Sequence, residues 1–334
     1  MGSPPFVTGH VSCTRSTPSA DEDGEQWPHE GVRGAAILPS VWISPVPLDV
    51  ELRDAYLGRL GLDAEPPSVE ALQQLHRRQV ERVPYETMWI HAGEAWGTDP
   101  LESVKRIALH GRGGYCYHLN GAFGALLRSL GYAVSGHVGG VHGPAGPDAE
   151  SAGNHLVLMV SDLPTDENPS GIWYVDAGLG DALHEALPLL AGVYEQEPFR
   201  LVLDEPKESV GEWHLTHDPA GGFAGMSWKT TDAELGDFAT KHQWLSTSPD
   251  SGFVQVAMAE RRDATGVDVI RGLVLTRIGK GAGSREPLTE RNEWFAALAD
   301  VFDLRFDGGT PETLEHLWNR VLAGHHAWEA VGRP

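Results

Sequence analysis

Three residues of the sequence have the types and settings that nucleophilic catalysis needs: Cys116, His155 and Asp176. Cys116 follows the turn Arg112–Tyr115 (RGGY) and opens a predicted helix, where free backbone N–H groups and the helix dipole favour a thiolate. His155 opens one predicted strand and Asp176 closes another, so adjacent antiparallel strands can hold an imidazole beside a carboxylate. Taken singly, the three also suit structural roles: a buried cysteine, a strand-end histidine and a turn-forming aspartate.

Taken together, the three side chains predict a catalytic triad. Asp176 would orient His155 and stabilise its charged form, while His155 would take the proton of Cys116 and return one to the leaving or attacking group. The glycines before Cys116 allow a tight turn, and a backbone N–H near the sulfur can donate to an oxyanion. Acyl transfer to an amine and hydrolysis by water both use this chemistry, so the order Cys, His, Asp does not separate them.

Helical spacing of apolar residues surrounds the proposed nucleophile. The predicted helices run from Leu48 to Gly61, from Ser68 to Pro84, from the cap Asp99, and from Cys116 to the stop at Gly131. Two more close the chain, over Thr289–Val301 and from Thr310-Pro311-Glu312 onward. Caps such as Ser68 and Asp99, proline in the first turn and glycine after the last are the usual helix boundaries.

After Gly131 the apolar pattern becomes extended. Candidate strands are 133–138, 155–160, 172–176, 199–203, 213–217, 253–258 and 267–275. Glycine and proline clusters separate several of them, and no regular alternation of strands and helices is visible. The pattern predicts an α+β fold in which an N-terminal helical part packs on an antiparallel, barrel-like sheet.

Composition and charge limit the kinds of partner and the cellular location that the sequence is compatible with. The 334 residues carry a formal net charge of −22, which disfavours binding to nucleic acid or to an anionic membrane surface. No long apolar run and no secretory signal pattern occur, which predicts a cytoplasmic protein. The two cysteines, Cys13 and Cys116, do not suggest a disulfide framework, and no metal-ligand spacing is present.

Several separated blocks resemble the arylamine N-acetyltransferase family. They are Leu57–Gly61, Leu75–Arg77, Arg82–Thr87 (RVPYET), Arg112–Tyr117 (RGGYCY), Asn154–Leu156 (NHL), Tyr174–Gly180 (YVDAGLG), and Ser246–Pro249 with Phe253, the last resembling a strand entry. The resemblance covers roughly residues 48 to 280. The RGGYC block followed in order by the His and Asp blocks is its most specific part.

The resemblance implies a fold and a reaction. The fold would comprise a helical bundle with the nucleophile (45–131), a β-barrel domain (132–230) and an α/β lid with C-terminal helices (231–334), around a cysteine-protease-like Cys-His-Asp core. Composition rich in Gly, Ser, Pro and acidic residues separately predicts a flexible leader (1–44). The reaction would be ping-pong acyl transfer from acetyl-CoA or another acyl-CoA, through an acyl-Cys116 intermediate, to an arylamine, hydrazine or related amine. No cofactor would stay bound, and no metal is implied.

The resemblance also assigns residues around the triad. It implies that Glu86 pairs with Arg112 as a structural brace for the nucleophile turn, so that mutating either alone would strand a charge. Substrate or donor contacts are implied for Tyr85, Tyr117, Val141, Leu179, Gly180 and Thr247.

Two departures from the family pattern bear on substrate. The family's Glu two residues after the nucleophile is His118 here, and the aromatic of its D-V-G-F-G block is Leu179. Loss of that ring predicts weaker selectivity for flat arylamines. An amide synthase acting on carrier-protein thioesters, so that a carrier protein is a possible partner, and a cysteine hydrolase or transglutaminase-like enzyme remain alternatives.

Overall fold

The computed structural model describes residues 48–148, 151–206, 212–283, 286–306 and 308–330. They belong to one compact unit, Ser40–Pro334. The predicted leader (1–44) and Cys13 lie outside the described residues, and the predicted division into bundle, barrel domain and lid stays a prediction.

The helices before the nucleophile begin and end at capping residues of the sequence. They are α1 (Val50–Leu60), α2 (Val69–Arg82), α3 (Met88–His91), α4 (Pro100–His110) and α5 (Cys116–Ser129). The side chains of Asp49, Ser68 and Asp99 accept backbone N–H groups at the starts of α1, α2 and α4, and Gly61 closes α1 in the left-handed conformation. These bonds satisfy N–H groups that have no partner within the helix. The predicted helices in this part of the chain are confirmed.

The strands form two antiparallel sheets. In chain order they are β1 (Tyr85–Glu86), β2 (Ala133–His142), β3 (His155–Ser161), β4 (Trp173–Val175), β5 (Leu187–Pro188), β6 (Gly192–Gln196), β7 (Phe199–Asp204), β8 (Glu212–Thr216), β9 (Gly225–Asp232), β10 (Met258–Asp263), β11 (Gly266–Arg271), β12 (Val274–Gly279) and β13 (Glu286–Pro287). One sheet has the order β5-β4-β3-β2-β9-β8-β7-β6 and is nearly closed into a barrel. The other has the order β1-β10-β11-β12-β13. The mixed fold with a barrel-like antiparallel sheet agrees with the sequence prediction.

Two predicted strands are wrong. Residues 253–258 were expected to be extended, but residues 253–255 lie in the short helix α7 (Gly252–Gln255), which begins where the Ser251 side chain accepts the Phe253 N–H. The apolar run 267–275 is a hairpin of β11 and β12 instead of one strand, since the chain reverses at Gly272. Helix α6 (Ala239–Thr247) and strand β9 were not predicted. The closing helices α8 (Arg291–Phe302) and α9 (Pro311–Ala330) are confirmed.

The packing of α5 fixes the position of the nucleophile. Every residue from Cys116 to Leu127 is buried, and the apolar ones share a core with β3 and the neighbouring helices. Burial of each large apolar side chain contributes about 1.5–3 kcal/mol, so α5 is held firmly against the sheet. Its first residue therefore lies close to the starting end of β3 and the loop after β4.

The described residues contain neither a membrane-spanning helix nor a cluster of metal-ligand side chains. No helix among them is long and apolar enough to cross a membrane. No group of three or more His, Cys, Asp or Glu side chains in the described ranges is arranged to hold a metal ion. The cytoplasmic location stays a prediction.

Candidate active site

Cys116 lies at the first position of α5, and its side chain is almost wholly enclosed. Its Sγ is 3.4 Å from the backbone oxygen of Asn154, the residue before β3. The loop after β4 also packs directly on the nucleophile, because a Cβ placed on Gly178 would be 2.8 Å from the Cα of Cys116. Only glycine permits this approach.

His155 joins the nucleophile to Asp176. Its Nε2 is 2.8 Å from Oδ2 of Asp176, and its ring also hydrogen-bonds with the Cys116 side chain, which leaves Nδ1 as the nitrogen on the side of the sulfur. Burial alone would lower the pKa of His155, but the negative charge of Asp176 and the hydrogen bonds to Asp176 and Cys116 outweigh it and raise the pKa to about 10. The imidazolium form is therefore favoured at neutral pH. The antiparallel pairing of β3 and β4 places the two side chains together.

Asp176 accepts four hydrogen bonds. Oδ2 accepts the His155 bond and one from the Tyr174 hydroxyl at 2.9 Å, while Oδ1 accepts from Asn120 Nδ2 at 2.7 Å and from the Gly178 N–H at 3.0 Å. Burial raises the pKa of Tyr174 well above its usual value, so its hydroxyl remains a donor. Four donors suit an ionised carboxylate, which only accepts, and fix its orientation towards His155.

Asn120 and His76 also hold the Asp176 region, and the sequence reasoning missed both. Asn120 Nδ2 donates to the Leu156 oxygen at 2.6 Å as well as to Asp176, and its Oδ1 accepts the Ala177 N–H at 2.9 Å. The backbone N–H of Asp176 donates to His76 Nε2 at 3.3 Å. A signal was available for Asn120, since it lies four residues after Cys116 and therefore on the same helix face.

Glu86 and Arg112 form a buried ion pair beside the nucleophile turn. Arg112 donates from Nε and Nη2 to Oε1 of Glu86 at 3.2 and 3.0 Å, and from Nη1 to Glu94 at 3.1 Å. The second oxygen of Glu86 accepts the Met88 N–H at 2.7 Å. The residues expected to form the brace are thus in contact, and Glu94 is a third member that the sequence did not indicate.

A cavity of ≈ 200 Å³ opens at Cys116 and His155. Its wall includes three aromatic residues, Tyr85, Phe223 and Phe253, together with Val141, Asn154, Gly178, Leu179, Asp181, Gly222, Leu245, Met258, Glu260 and Arg271. A larger cavity of ≈ 670 Å³ lies by Arg59, Arg112 and Phe306, but none of the three triad residues lines it. We take the smaller cavity as the candidate active site because it holds the nucleophile.

Comparison with known proteins agrees with this geometry. A family model described as N-acetyltransferase matches residues 68–310. The arylamine N-acetyltransferase of Mycolicibacterium smegmatis is 30% identical over 211 residues, which cover 60% of this chain and 72% of the relative. The chain belongs to the arylamine N-acetyltransferase family. Arylamine N-acetyltransferase 1 of Bos taurus is 26% identical over 248 residues, covering 67% of this chain and 82% of the relative.

Solved structures of the arylamine N-acetyltransferase family share the fold. The enzyme of Nocardia farcinica superposes with a TM-score of 0.70 at 27% identity, covering 82% of this chain and 96% of that chain. The enzyme of Mycobacterium marinum, solved in complex with CoA, gives 0.71 at 25% identity and covers 81% and 98%.

The six residues for which the family resemblance implies substrate or donor contacts fall into two groups. Tyr85, Val141 and Leu179 line the candidate cavity, and Gly180 lies beside its wall residue Glu260. Tyr117 and Thr247 are absent from the described wall. The hydroxyl of Tyr117 donates to the Gly153 oxygen at 2.7 Å, and Thr247 is exposed at the end of α6.

His118 replaces the family's glutamate without leaving a polar group in the cavity. It is fully buried, and its Nδ1 accepts the Tyr115 N–H at 3.3 Å. Its ring packs edge-on against Trp89 and Trp96. Burial holds the pKa of His118 well below its usual value, so the ring is neutral and serves packing.

Proposed function

We propose that this chain transfers an acetyl group from acetyl-CoA, through a thioester at Cys116, to an arylamine or hydrazine. The observation that carries the proposal is the series of contacts from Cys116 through His155 to Asp176, with Cys116 and His155 on the cavity wall. The family supports the donor and acceptor classes, since its named members are arylamine N-acetyltransferases and the Mycobacterium marinum relative binds CoA.

In the first half-reaction, the Cys116 thiolate attacks the acetyl carbonyl carbon of the donor. A C–S bond to Cys116 forms, the C–S bond to CoA breaks, and His155 gives its proton to the departing CoA thiolate. Transfer of that proton becomes easier as the reaction proceeds, because acylation removes the negative sulfur that helps to raise the pKa of His155. Asp176 keeps the ring in place throughout.

In the second half-reaction, the acceptor nitrogen attacks the thioester carbonyl. A C–N bond forms, the C–S bond to Cys116 breaks, and the proton lost by the nitrogen passes to His155. The chain returns to a thiolate beside an imidazolium, and the acetylated amine leaves. Enclosure of Cys116 limits competing attack by water, which favours transfer over hydrolysis.

Aromatic side chains on the cavity wall can contact an aromatic acceptor even though Leu179 is aliphatic. Tyr85 and Phe253 meet edge-on, with ring centroids 6.2 Å apart, and both line the cavity together with Phe223. Edge or face contacts of this kind are worth about 0.5–1.5 kcal/mol each beyond area burial. The aromatic surface expected at residue 179 is supplied by other elements, chiefly β1 and α7.

Steady-state kinetics with acetyl-CoA and 4-methylaniline test the proposal. We expect equal amounts of CoA thiol and N-acetyl product, parallel double-reciprocal lines typical of ping-pong transfer, and no turnover by Cys116→Ala. Free acetate without the amide would indicate a hydrolase. Intersecting lines, or turnover by Cys116→Ala near the parent rate, would contradict an acyl-Cys116 route.

A further inference from the structure

Glu260 is a buried carboxyl group on the wall of the candidate active site. The residue is only 7% exposed, and it lines the same cavity as Cys116 and His155. Among the described residues, its side chain has no hydrogen bond and no cation within 4.0 Å. Burial of a carboxyl group without a partner is costly, so such a group at the wall of a ligand cavity indicates a partner supplied by the ligand.

The sheet register directs Glu260 into the cavity. β1 and β10 pair with Tyr85 opposite Glu260, and directly opposite residues of an antiparallel pair project from the same face. A Cβ placed on Gly180 would be 2.0 Å from Oε2 of Glu260, so the carboxyl occupies the space that a side chain at residue 180 would fill. A side chain at residue 180 would therefore collide with the Glu260 carboxyl.

The neighbouring groups leave the Glu260 carboxyl without a counter-charge. Asp181 also lines the cavity, but its oxygens already accept from the Gly222 N–H at 2.6 Å and contact His217 Nε2 at 3.3 Å. Arg271 lies on the cavity wall beyond ion-pair distance of Glu260. Burial, together with repulsion from Asp181 and against the opposing attraction of Arg271, raises the pKa of Glu260 to about 8.

We propose that Glu260 selects acceptors that carry a cationic group in addition to the reacting amine. The inference rests on the proposed acetyl transfer and narrows its acceptor class. The reacting nitrogen would face Cys116 while an ammonium group contacts the Glu260 carboxylate, and the rings of Tyr85, Phe223 and Phe253 contact the aromatic part. An acceptor with a carboxylate in place of the ammonium would meet Glu260 and Asp181 as like charges and bind poorly.

Three para-substituted anilines that differ in charge test the selection. They are 4-methylaniline (neutral), 4-aminobenzoate (anionic) and 4-(trimethylammoniomethyl)aniline (cationic, with no second nucleophilic nitrogen). We would measure kcat/KM for each with the parent chain, with Glu260→Gln, and with Glu195→Gln as an exposed control that makes the same carboxyl-to-amide change. The acetyl-enzyme is measured separately by intact mass, so donor chemistry and acceptor choice are read independently.

The deciding quantity is kcat/KM for the cationic acceptor divided by kcat/KM for the neutral acceptor. At about pH 9, where Glu260 is ionised, loss of the ionic contact between the carboxylate and the quaternary ammonium predicts that Glu260→Gln lowers this ratio about tenfold or more, whereas Glu195→Gln leaves it at the parent value. An unchanged ratio in Glu260→Gln overturns the inference while leaving acetyl transfer intact. Failure of the parent chain to form an acetyl-enzyme overturns the proposed function and this inference with it.

A second measurement decides the matter if Glu260→Gln does not fold. The quaternary ammonium keeps its charge at all pH values, so in the parent chain the same ratio should rise as Glu260 ionises, between about pH 6.5 and about pH 9. The neutral acceptor corrects for the pH dependence of the transfer chemistry itself, which affects both acceptors equally. A ratio that stays flat across this range overturns the inference.

Discussion

Asn120 lies one helical turn after Cys116, and its Nδ2 is 2.7 Å from Oδ1 of Asp176. One side chain thereby connects the helix that begins with Cys116 to the carboxylate that is hydrogen-bonded to His155. The same amide binds the backbone at Leu156 and Ala177, so α5, β3 and the loop after β4 meet at this residue.

Asn120→Ala is expected to loosen Asp176 and impair acylation. Loss of a buried hydrogen bond to a charged group costs about 1.5–3 kcal/mol, which corresponds to a decrease in acylation rate of about tenfold or more. Because Asp176 raises the pKa of His155, the alkaline limb of the plot of acylation rate against pH should also move to lower pH, down from about pH 10.

The acylation rate is measured at each pH by stopped-flow release of CoA. Asn168→Ala is the matched control, since Asn168 is equally buried but bonds to Ile172 and Ser170. If both variants lose stability and neither moves the alkaline limb, Asn120 has no positioning role.

Asp176→Asn is expected to remove the charge of His155. Without the carboxylate, burial dominates and lowers the pKa of the imidazole, so no imidazolium stabilises the sulfur at neutral pH. Alkylation of Cys116 by iodoacetamide at about pH 7 should then slow by about tenfold or more relative to the parent chain. Cys116→Ala measures the background from Cys13. Equal alkylation of Cys116 in parent and variant would show that the His155–Asp176 pair does not activate the sulfur.

The Glu86–Arg112 pair predicts unequal effects of its two single variants. Arg112→Met leaves the fully buried Glu86 carboxylate without its cation and should lower the free energy of unfolding by about 3–5 kcal/mol. Glu86→Gln should cost less, because Arg112 keeps Glu94. Urea denaturation measures the free energy of unfolding of both variants. The control Lys105→Met breaks an exposed ion pair and should leave that free energy unchanged. A loss in Arg112→Met no larger than in Lys105→Met would contradict the brace.

Because His76 is buried as a neutral ring, we expect the free energy of unfolding to decrease in acid. Its Nδ1 contacts the His184 oxygen at 3.1 Å and its Nε2 accepts the Asp176 N–H, a pattern that requires the neutral ring. Burial lowers the pKa of His76 from 6.5 to about 4, so the unfolded chain takes up a proton at this residue throughout that window and the folded chain does not. Its contribution is full above pH 6.5 and falls with pH by about 3 kcal/mol down to about pH 4.

His76→Gln isolates that contribution, because an amide can donate to His184 and accept from Asp176 without titrating. Thermal unfolding of both chains over the same pH range gives the difference directly. The stability of the parent chain should fall more steeply than that of the variant between pH 6.5 and about 4. Parallel curves would show that His76 does not carry this proton linkage.

Local signals account for what the sequence predicted well. The caps Ser68 and Asp99 act on the next few residues, so the starts of α2 and α4 could be predicted from neighbours alone. The contacts among Cys116, His155 and Asp176 could be anticipated because each residue is at the end of a strongly patterned element. Glu260 was not, since its orientation depends on pairing with Tyr85, 175 positions earlier in the chain. The strand predicted for 253–258 was wrong for a different reason: a short, mainly apolar segment does not distinguish a strand from a short helix that begins at a serine cap.

Intact-mass spectrometry after mixing the chain with acetyl-CoA, before and after addition of an arylamine, tests the central claim most directly. We expect the mass to rise by one acetyl group, peptide mapping to place it on Cys116, and the adduct to disappear with stoichiometric formation of the N-acetyl product when the amine is added. Cys116→Ala should show no adduct. An adduct that survives in Cys116→Ala, or acetylated amine formed at the parent rate with no acetyl group ever on Cys116, would contradict catalysis through this cysteine.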